Sequence, residues 1–227
     1  MKMNEPEGRV LPIYLVADAS GSMTDYFPAL QEGLASLREQ MEESPAAAAA
    51  VRFSLILFGS KIQTLMNIAD FNEITNVPSF NNLGGTNFTI VFEELFKQIP
   101  LDVKTLKAEN YKVLRPAVFF LTDGYPNEGG DWTRAYSLLM SEGNTRRPNI
   151  ISFGVGPADV DTVRAVASKP QYAFMAIEGA NMGIALGEFM TALQRSVVSS
   201  GVNVSSGGGL LVADPKGFTR IDAEEID

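Results

Sequence analysis

Hydrophobic residues along this chain fall into short, nearly continuous runs separated by amphipathic segments. Five runs are predicted to be strands, and they occupy 10–17, 51–58, 116–122, 149–156 and, more weakly, 171–177. Runs that do not alternate with polar residues are typical of strands buried on both faces, as in parallel sheets covered by helices.

Between these runs, apolar residues recur at helical spacing. Helical stripes are predicted within 27–43, 86–99 and 132–143, and another lies around 186–197. Asp131 is a plausible N-cap for the third helix. The alternation of strand and helix predicts an α/β protein, a Rossmann-like three-layer sandwich with a mostly parallel central sheet. The run 61–68 follows the second strand so closely that it is predicted to turn back as a short antiparallel edge strand.

Other parts of the chain carry weaker signals. The polar stretch 101–115 is interpreted as a solvated loop, with a basic docking patch as the alternative. Residues 1–9 are expected to be an N-terminal extension, 10–200 one domain, and 201–227 a linker and tail. Serine and glycine predict flexibility at the start of that tail, although Leu210, Leu211 and Val212 remain able to anchor a strand or arm.

Composition narrows the possible chemistry. The chain contains no cysteine and no histidine, which excludes thiolate nucleophiles, disulfides and the usual nitrogen and sulfur zinc sites. Any bound metal must therefore be held by oxygen. The formal net charge is −9, so neither nucleic acid nor a membrane is an expected partner. The N-terminus lacks the apolar core of a signal peptide and no run is long enough to span a bilayer, so a cytoplasmic location is expected.

Two acidic residues follow predicted strands. Asp18 ends the first strong run and Asp123 ends the run 116–122. In open α/β sheets, ligands bind beyond the carboxyl ends of the strands near a topological switch point. If these two strands are neighbours, their carboxylates face the same crevice.

Three hydroxyl groups accompany these acids. Ser20 and Ser22 lie just after Asp18 in DASGS, and Thr86 follows two glycines in NNLGGTNF. Oxygen ligands of this kind suit Mg²⁺, which prefers about six of them. Each piece alone has an ordinary structural explanation, because serine and threonine commonly cap helices and LTDG is common turn chemistry.

Taken together, the motifs D-x-S-x-S, GGT and LTDG-x-P resemble the metal-ion-dependent adhesion site of von Willebrand factor A domains. The resemblance covers roughly residues 10–198, and five residues match that site's positions: Asp18, Ser20, Ser22, Thr86 and Asp123. It implies a site for Mg²⁺ or Mn²⁺ in which the hydroxyls coordinate directly or exchange with water. It also implies that the acids often act through water and that a partner protein's Asp or Glu completes the shell.

Three functions stay open at this point. The first is a non-enzymatic interaction module whose metal recruits an acidic residue of a partner. The second is a Mg²⁺-dependent phosphatase or hydrolase with Asp18 as nucleophile, but such phosphatases place a second Asp where this chain has Ser20, and the chain contains no P-loop. In the third, the metal only joins loops and recognition uses Tyr125, Asn127, Trp132 or the tail. Trp132 is expected instead to pack as a helix residue.

A narrower resemblance concerns RVLPIYLVADASGSM, RPAVFFLTDGYPNEGGDW and ISFGVG. These segments are similar to bacterial TerY-type proteins, which are cytoplasmic A domains associated with tellurite resistance and stress response. The resemblance implies that the chain works with a protein kinase and a phosphatase.

Overall fold

A computed structural model describes residues 8–73 and 76–221, and within them one eight-stranded sheet is flanked by helices on both faces. The strands are β1 Gly8–Asp18, β2 Val51–Phe58, β3 Ile62–Ala69, β4 Tyr111–Val113, β5 Ala117–Thr122, β6 Asn149–Gly154, β7 Ala173–Ala176 and β8 Phe218–Arg220. The helices are α1 Phe27–Glu42, α2 Pro45–Ala50, α3 Phe88–Ala108, α4 Thr133–Met140, α5 Val160–Val166 and α6 Met182–Ser205.

The sheet confirms the predicted fold class. Its strand order is β3-β2-β1-β5-β6-β7-β8, with the short β4 pairing with the start of β1. Strands β2, β1, β5, β6 and β7 are mutually parallel, and β3 turns back antiparallel to β2 as predicted. A second antiparallel strand, β8, lies at the opposite edge; the sequence left open a terminal strand or arm anchored by Leu210, Leu211 and Val212, and the strand forms a few residues later.

Strand β1 shows why the hydrophobic runs do not alternate. Leu11, Ile13 and Leu15 contribute to the core formed with α1 and α6, whereas Tyr14 and Val16 contribute to the core formed with α3 and α4. Both sets of side chains are buried. Because each face of a central strand meets a helical layer, every buried position of β1, from Val10 to Asp18, is apolar or internally paired.

The interpretation of 101–115 as a loop was wrong. Helix α3 continues through Pro100 to Ala108, and Asp102, Val103 and Leu106 are buried on its inner side. The buried residues continue the i, i+3, i+4 stripe of the helix. Proline and several lysines obscured that stripe in the sequence, and only 109–115 leave the helix, partly as β4.

The prediction of a flexible linker from residue 201 was also wrong in its first part. Helix α6 extends to Ser205, and Gly201 lies so close to α2 that an added Cβ would come within 2.6 Å of the Ala47 Cα atom. After the helix, the backbone N–H of Leu211 donates to Ser200 Oγ at 2.8 Å, which fixes the following segment against α6. Residues 1–7 and 222–227 lie outside the described residues, and the domain boundaries at 9/10 and 200/201 remain predictions.

Among residues 8–73 and 76–221, no helix has the length and apolar character required to cross a bilayer.

Candidate metal centre

The predicted site lies at the point in the sheet where the order in which the chain adds strands reverses. The chain proceeds from β1 to β2 on one side, whereas β5 to β8 extend on the other. Strands β1 and β5 are adjacent and parallel, with Ala17 paired to Leu121, so Asp18 and Thr122 end at the same level. This is the topological switch point at which ligands bind in open α/β sheets.

Asp18 is held by two hydrogen bonds. The Ser20 backbone N–H donates to Oδ1 at 2.9 Å, and the Thr122 hydroxyl donates to Oδ2 at 2.8 Å. Asp18 is fully buried, and burial raises its pKa to about 6. The two hydrogen bonds act in the opposite direction, while the nearby Asp123 raises the pKa further. A cation at this position would offset both the cost of burying the Asp18 charge and the repulsion between the two carboxylates.

Ser20 and Ser22 do not act as helix caps. Ser20 precedes a 3₁₀ helix at Gly21–Tyr26, but its side chain makes no capping hydrogen bond. Its Oγ atom instead lies 3.2 Å from the Oγ atom of Ser22. Ser20 is buried and Ser22 is exposed, so this pair of hydroxyls leads from the carboxylates towards the protein surface.

Asp123 is the least satisfied polar group of the centre. It is buried, and neither carboxylate oxygen accepts a well-formed hydrogen bond from any described residue. Burial raises its pKa, and the hydroxyls of Ser22 and Ser20 lie close enough to lower that pKa in part. An unpaired buried carboxylate is costly, and a bound cation is a common reason for one. The donor set therefore fits a divalent cation held by oxygen.

Thr86 is placed at the same edge by its loop. It is buried, its backbone N–H donates to Asn127 Oδ1 at 2.9 Å, and its carbonyl oxygen accepts from the Asn127 N–H at 2.9 Å. It does not cap α3, because that role falls to Asn87, whose Oδ1 accepts from the Ile90 N–H at 3.2 Å. Direct contacts join Asp18, Ser20 and Ser22, whereas the loop that carries Thr86 is joined to theirs by main-chain hydrogen bonds.

Main-chain hydrogen bonds connect the loop after β1 to the loop that carries Thr86. The Leu83 N–H donates to the Ala19 carbonyl at 2.8 Å, and the Gly21 N–H donates to the Gly84 carbonyl at 3.0 Å. Gly84 has a φ of 95°, and an added Cβ would come within 2.5 Å of Ser60 Oγ. Glycine is therefore required there both by conformation and by space.

Several supporting residues were not found from the sequence. Thr122 and Ser60 were not singled out, although Thr122 holds Asp18 and Ser60 Oγ accepts from the Gly85 N–H at 2.8 Å. Asn127 was considered for recognition, but in the structure it positions Thr86. Tyr125 is 59% exposed beside the centre.

The structure also shows the positions of Trp132 and of Asp131, the predicted N-cap, at the start of α4. Trp132 packs as expected, with its ring centroid 5.7 Å from those of Phe88 and Phe92. Asp131 accepts from the Thr133 N–H at 2.9 Å, so it binds the first turn of α4 from one position before the N-cap.

The fold and this centre define a class of protein: an α/β sandwich with a cluster of oxygen donors, of a kind that fits a divalent cation, at the carboxyl ends of its strands. Residues 13–189 match the family model of the von Willebrand factor type A domain. The chain belongs to the von Willebrand factor type A family. Domains of this family generally act as protein-interaction modules that depend on a bound metal. Among curated protein sequences, no match to the chain was found.

Solved structures of the same fold come from extracellular and bacterial proteins. Proximal thread matrix protein 1 from the mussel byssus matches with a TM-score of 0.63 and 17% identity over 84% of this chain and 47% of its own. A second structure of that protein, with a zinc-occupied MIDAS motif, has a TM-score of 0.59 and 14% identity over 84% of this chain and 48% of its own. The pilus adhesin SpaC from Lactobacillus rhamnosus GG matches with a TM-score of 0.64 and 14% identity over 86% of this chain and 30% of its own. The chain thus matches less than half the length of each.

Proposed function

We propose that the chain is a non-enzymatic protein-interaction module whose binding depends on a divalent cation. In this proposal the cation is Mg²⁺ or Mn²⁺, a partner protein supplies an Asp or Glu to it, and the ligands from this chain are Asp18, Ser20, Ser22, Thr86 and Asp123. The observation that carries the proposal is the buried Asp123 carboxylate, which accepts no well-formed hydrogen bond from the described residues and lies beside two serine hydroxyls.

The residues of the chain have distinct tasks in this proposal. Asp18 and Asp123 supply negative charge, and the hydroxyls supply lone pairs without adding charge. Thr122 fixes the Asp18 carboxylate, and Asn127 fixes the loop of Thr86. Exposed Ser22 marks the side from which a partner approaches. A bound cation would supply electrostatic attraction for an incoming carboxylate.

Charge explains why binding should require the metal. The chain carries a net charge of −9, and the centre itself contains two buried carboxylates. Without a cation, both would repel an acidic side chain of a partner at short range. The cation reverses the local field, so its removal should weaken association more than the loss of a single contact would.

A catalytic role for Asp18 has less support. Both of its carboxylate oxygens already accept hydrogen bonds, from the Ser20 N–H and from the Thr122 hydroxyl. Ser20 occupies the position at which a second acid would act as general acid. We therefore expect no Mg²⁺-dependent hydrolysis of p-nitrophenyl phosphate. A turnover that Asp18→Asn abolishes would establish the enzyme instead.

The test of the proposal has two measurements. Calorimetry of the purified chain should show Mg²⁺ binding that Asp18→Ala abolishes, while Glu39→Ala, an exposed acid on α1, serves as the matched control. Affinity capture from the native lysate is then repeated with Mg²⁺, with EDTA and with Asp18→Ala. Partner capture should require both the metal and Asp18. Capture that persists unchanged in EDTA would show that the metal only joins the loops.

A narrower proposal follows from the TerY-type resemblance. In it, the chain is a cytoplasmic component of a tellurite-resistance or stress-response system and works with a protein kinase and a phosphatase. Its support is the similarity of the segments containing the D-x-S-x-S and LTDG-x-P motifs. Mass spectrometry of the Mg²⁺-dependent captured fraction tests it. The kinase and phosphatase should be enriched over the Asp18→Ala capture, and their absence would limit the conclusion to the family.

A further inference from the structure

A groove lined by basic residues crosses the end of the sheet opposite the metal centre. It consists of two adjoining cavities of about 570 Å³ and 260 Å³, which share Lys107, Val113 and Leu114. We call it the basic groove, and its cationic residues are Arg9, Lys107, Lys112, Arg115 and Arg146. Among the residues that the structure describes, none that lines either cavity is acidic.

Within residues 8–73 and 76–221, these cations take no part in an ion pair. The ion pairs of the described residues involve Arg38, Arg52, Arg164 and Arg220, and none of them includes a cation of the basic groove. In a chain with a net charge of −9, positive charge is concentrated here without an ion-pair partner among the described residues. Such clustering is unfavourable for the isolated fold and favours the binding of an anion.

Local structure explains only part of this arrangement. Lys107 lies in the last turn of α3, where a cation interacts favourably with the helix dipole. Arg115 is held in place because its Nη1 donates to the Arg147 carbonyl at 2.6 Å. Arg9 and Lys112 face each other in register across β1 and β4, where like charges are unfavourable. The Arg9 Nη1 atom lies near Gly207, just beyond the C-terminal end of α6, where the helix dipole also favours a cation.

The form of the groove indicates which anion it accepts. Tyr111, Val113 and Leu114 are half-buried and give the groove apolar as well as polar surface, which suits a peptide better than a free ion. A nucleic acid would extend past the groove onto a chain that is otherwise strongly acidic. A short acidic segment of protein can be neutralised within the groove.

We infer that the basic groove binds an acidic peptide segment of a partner protein, independently of the metal. Arg9 and Asp18 are nine residues apart along β1, which corresponds to roughly 30 Å at ~3.3 Å per residue. This separation is several Debye lengths at physiological salt. The two sites are therefore expected to act without mutual electrostatic influence, and a partner protein can engage either one alone.

The test uses the full chain and a fluorescent eight-residue peptide of Asp and Glu, with an Asn and Gln peptide as its control. All solutions contain EDTA, because an acidic peptide would otherwise bind at the metal centre. Fluorescence anisotropy should show binding of the acidic peptide alone, weakened at least about tenfold between about 30 mM and 300 mM salt. Asp18→Ala should leave this binding unchanged, which separates it from the proposed function.

Substitutions of lysines in the basic groove test whether the acidic peptide binds there. Lys107→Glu combined with Lys112→Glu should weaken it at least about tenfold. The milder pair Lys107→Gln and Lys112→Gln is measured beside it, with circular dichroism to confirm folding, and should also weaken binding. Lys97→Glu is the matched control, since Lys97 is exposed on the same helix outside the groove. The inference is overturned by absent binding, by an equal loss in Lys97→Glu, or by tighter binding of a single-stranded oligonucleotide of equal charge.

Discussion

The Thr122 hydroxyl donates a hydrogen bond of 2.8 Å to Oδ2 of Asp18 and so links the ends of β5 and β1 beneath the metal centre. Thr122→Val keeps the shape of this side chain and removes the donor. We expect Mg²⁺ affinity to fall about 10-fold, because ligands lose orientation when their supporting hydrogen bonds are removed. Calorimetric titration measures the change, and Thr122→Ser should retain most of the affinity. An unchanged dissociation constant in Thr122→Val would contradict the supporting role.

The second prediction concerns the loss of folding stability caused by burying the Asp123 carboxylate. Its buried carboxylate lacks a well-formed hydrogen bond in the described part of the chain, so the charge destabilises the metal-free protein. Asp123→Asn should raise the free energy of unfolding in EDTA by about 1 kcal/mol or more. The same variant should lose the extra stability that Mg²⁺ gives to the wild type, about 2.7 kcal/mol at a hundredfold excess over the dissociation constant. Urea denaturation with and without Mg²⁺ measures both, and a less stable variant in EDTA would refute the first part.

The third prediction concerns pH. Asp102 is buried, and burial raises its pKa although Tyr14 and Gln98 donate to its oxygens at 2.8 Å and 2.7 Å. A raised carboxyl pKa means that the folded state binds the proton more tightly than the unfolded chain does. Ionised Asp102 therefore reduces stability, and this penalty appears as the pH rises from the unfolded pKa of about 3.9 through the folded pKa.

Asp102→Asn should accordingly gain stability relative to the wild type as the pH rises above about 4. Tyr14→Phe keeps the carboxylate but removes one of its donors, so it should lose stability over the same interval. Urea denaturation at each pH in EDTA measures the difference. A difference between Asp102→Asn and the wild type that stays constant with pH, or that falls as pH rises, would show that the titration of Asp102 is not the cause.

The fourth prediction compares two glycines of α6. Gly201 packs against α2, where a Cβ would come within 2.6 Å of the Ala47 Cα atom, whereas a Cβ on Gly187 would meet nothing within 4 Å. Gly201→Ala should therefore destabilise the protein by about 1–3 kcal/mol through overpacking. Gly187→Ala should stabilise it by up to about 1 kcal/mol, because alanine favours a helix more than glycine does. Thermal melting of both variants checks the opposite signs, and a gain in Gly201→Ala would indicate that α2 moves away readily.

The elements that were predicted correctly have a hydrophobic pattern that can be recognised within the segment itself. Strands β2 and β5 are continuous apolar runs because helices cover both of their faces, and that pattern is visible without knowing the neighbours. By contrast, α2 is the short sequence PAAAAA, which has no hydrophobic periodicity. The residues 201–205 are helical because Gly201 allows contact with α2, and this contact depends on residues about 150 positions away.

In the candidate metal centre, too, some residues are recognisable from local sequence and others only from contacts between distant parts of the chain. Asp18, Ser20 and Ser22 lie in one short motif, so the sequence was sufficient to suggest them as ligands. The role of Thr122 depends on β1 and β5 being adjacent and in a particular register, which no local pattern reveals. Asn127 likewise becomes important only when its loop meets that of Thr86.

The connection of the loops through main-chain atoms has a consequence for how this domain tolerates evolutionary change. Ala19 and Leu83 are joined through a carbonyl and an N–H, and so are Thr86 and Asn127. Every residue type supplies the carbonyl, and every type except proline supplies the N–H. These hydrogen bonds therefore restrict the sequence only by excluding proline at Leu83 and Asn127, whereas the burial of the Ala19 and Leu83 side chains in the core separately restricts their size and polarity. Such a design is compatible with structures that keep this fold at only 14–17% identity.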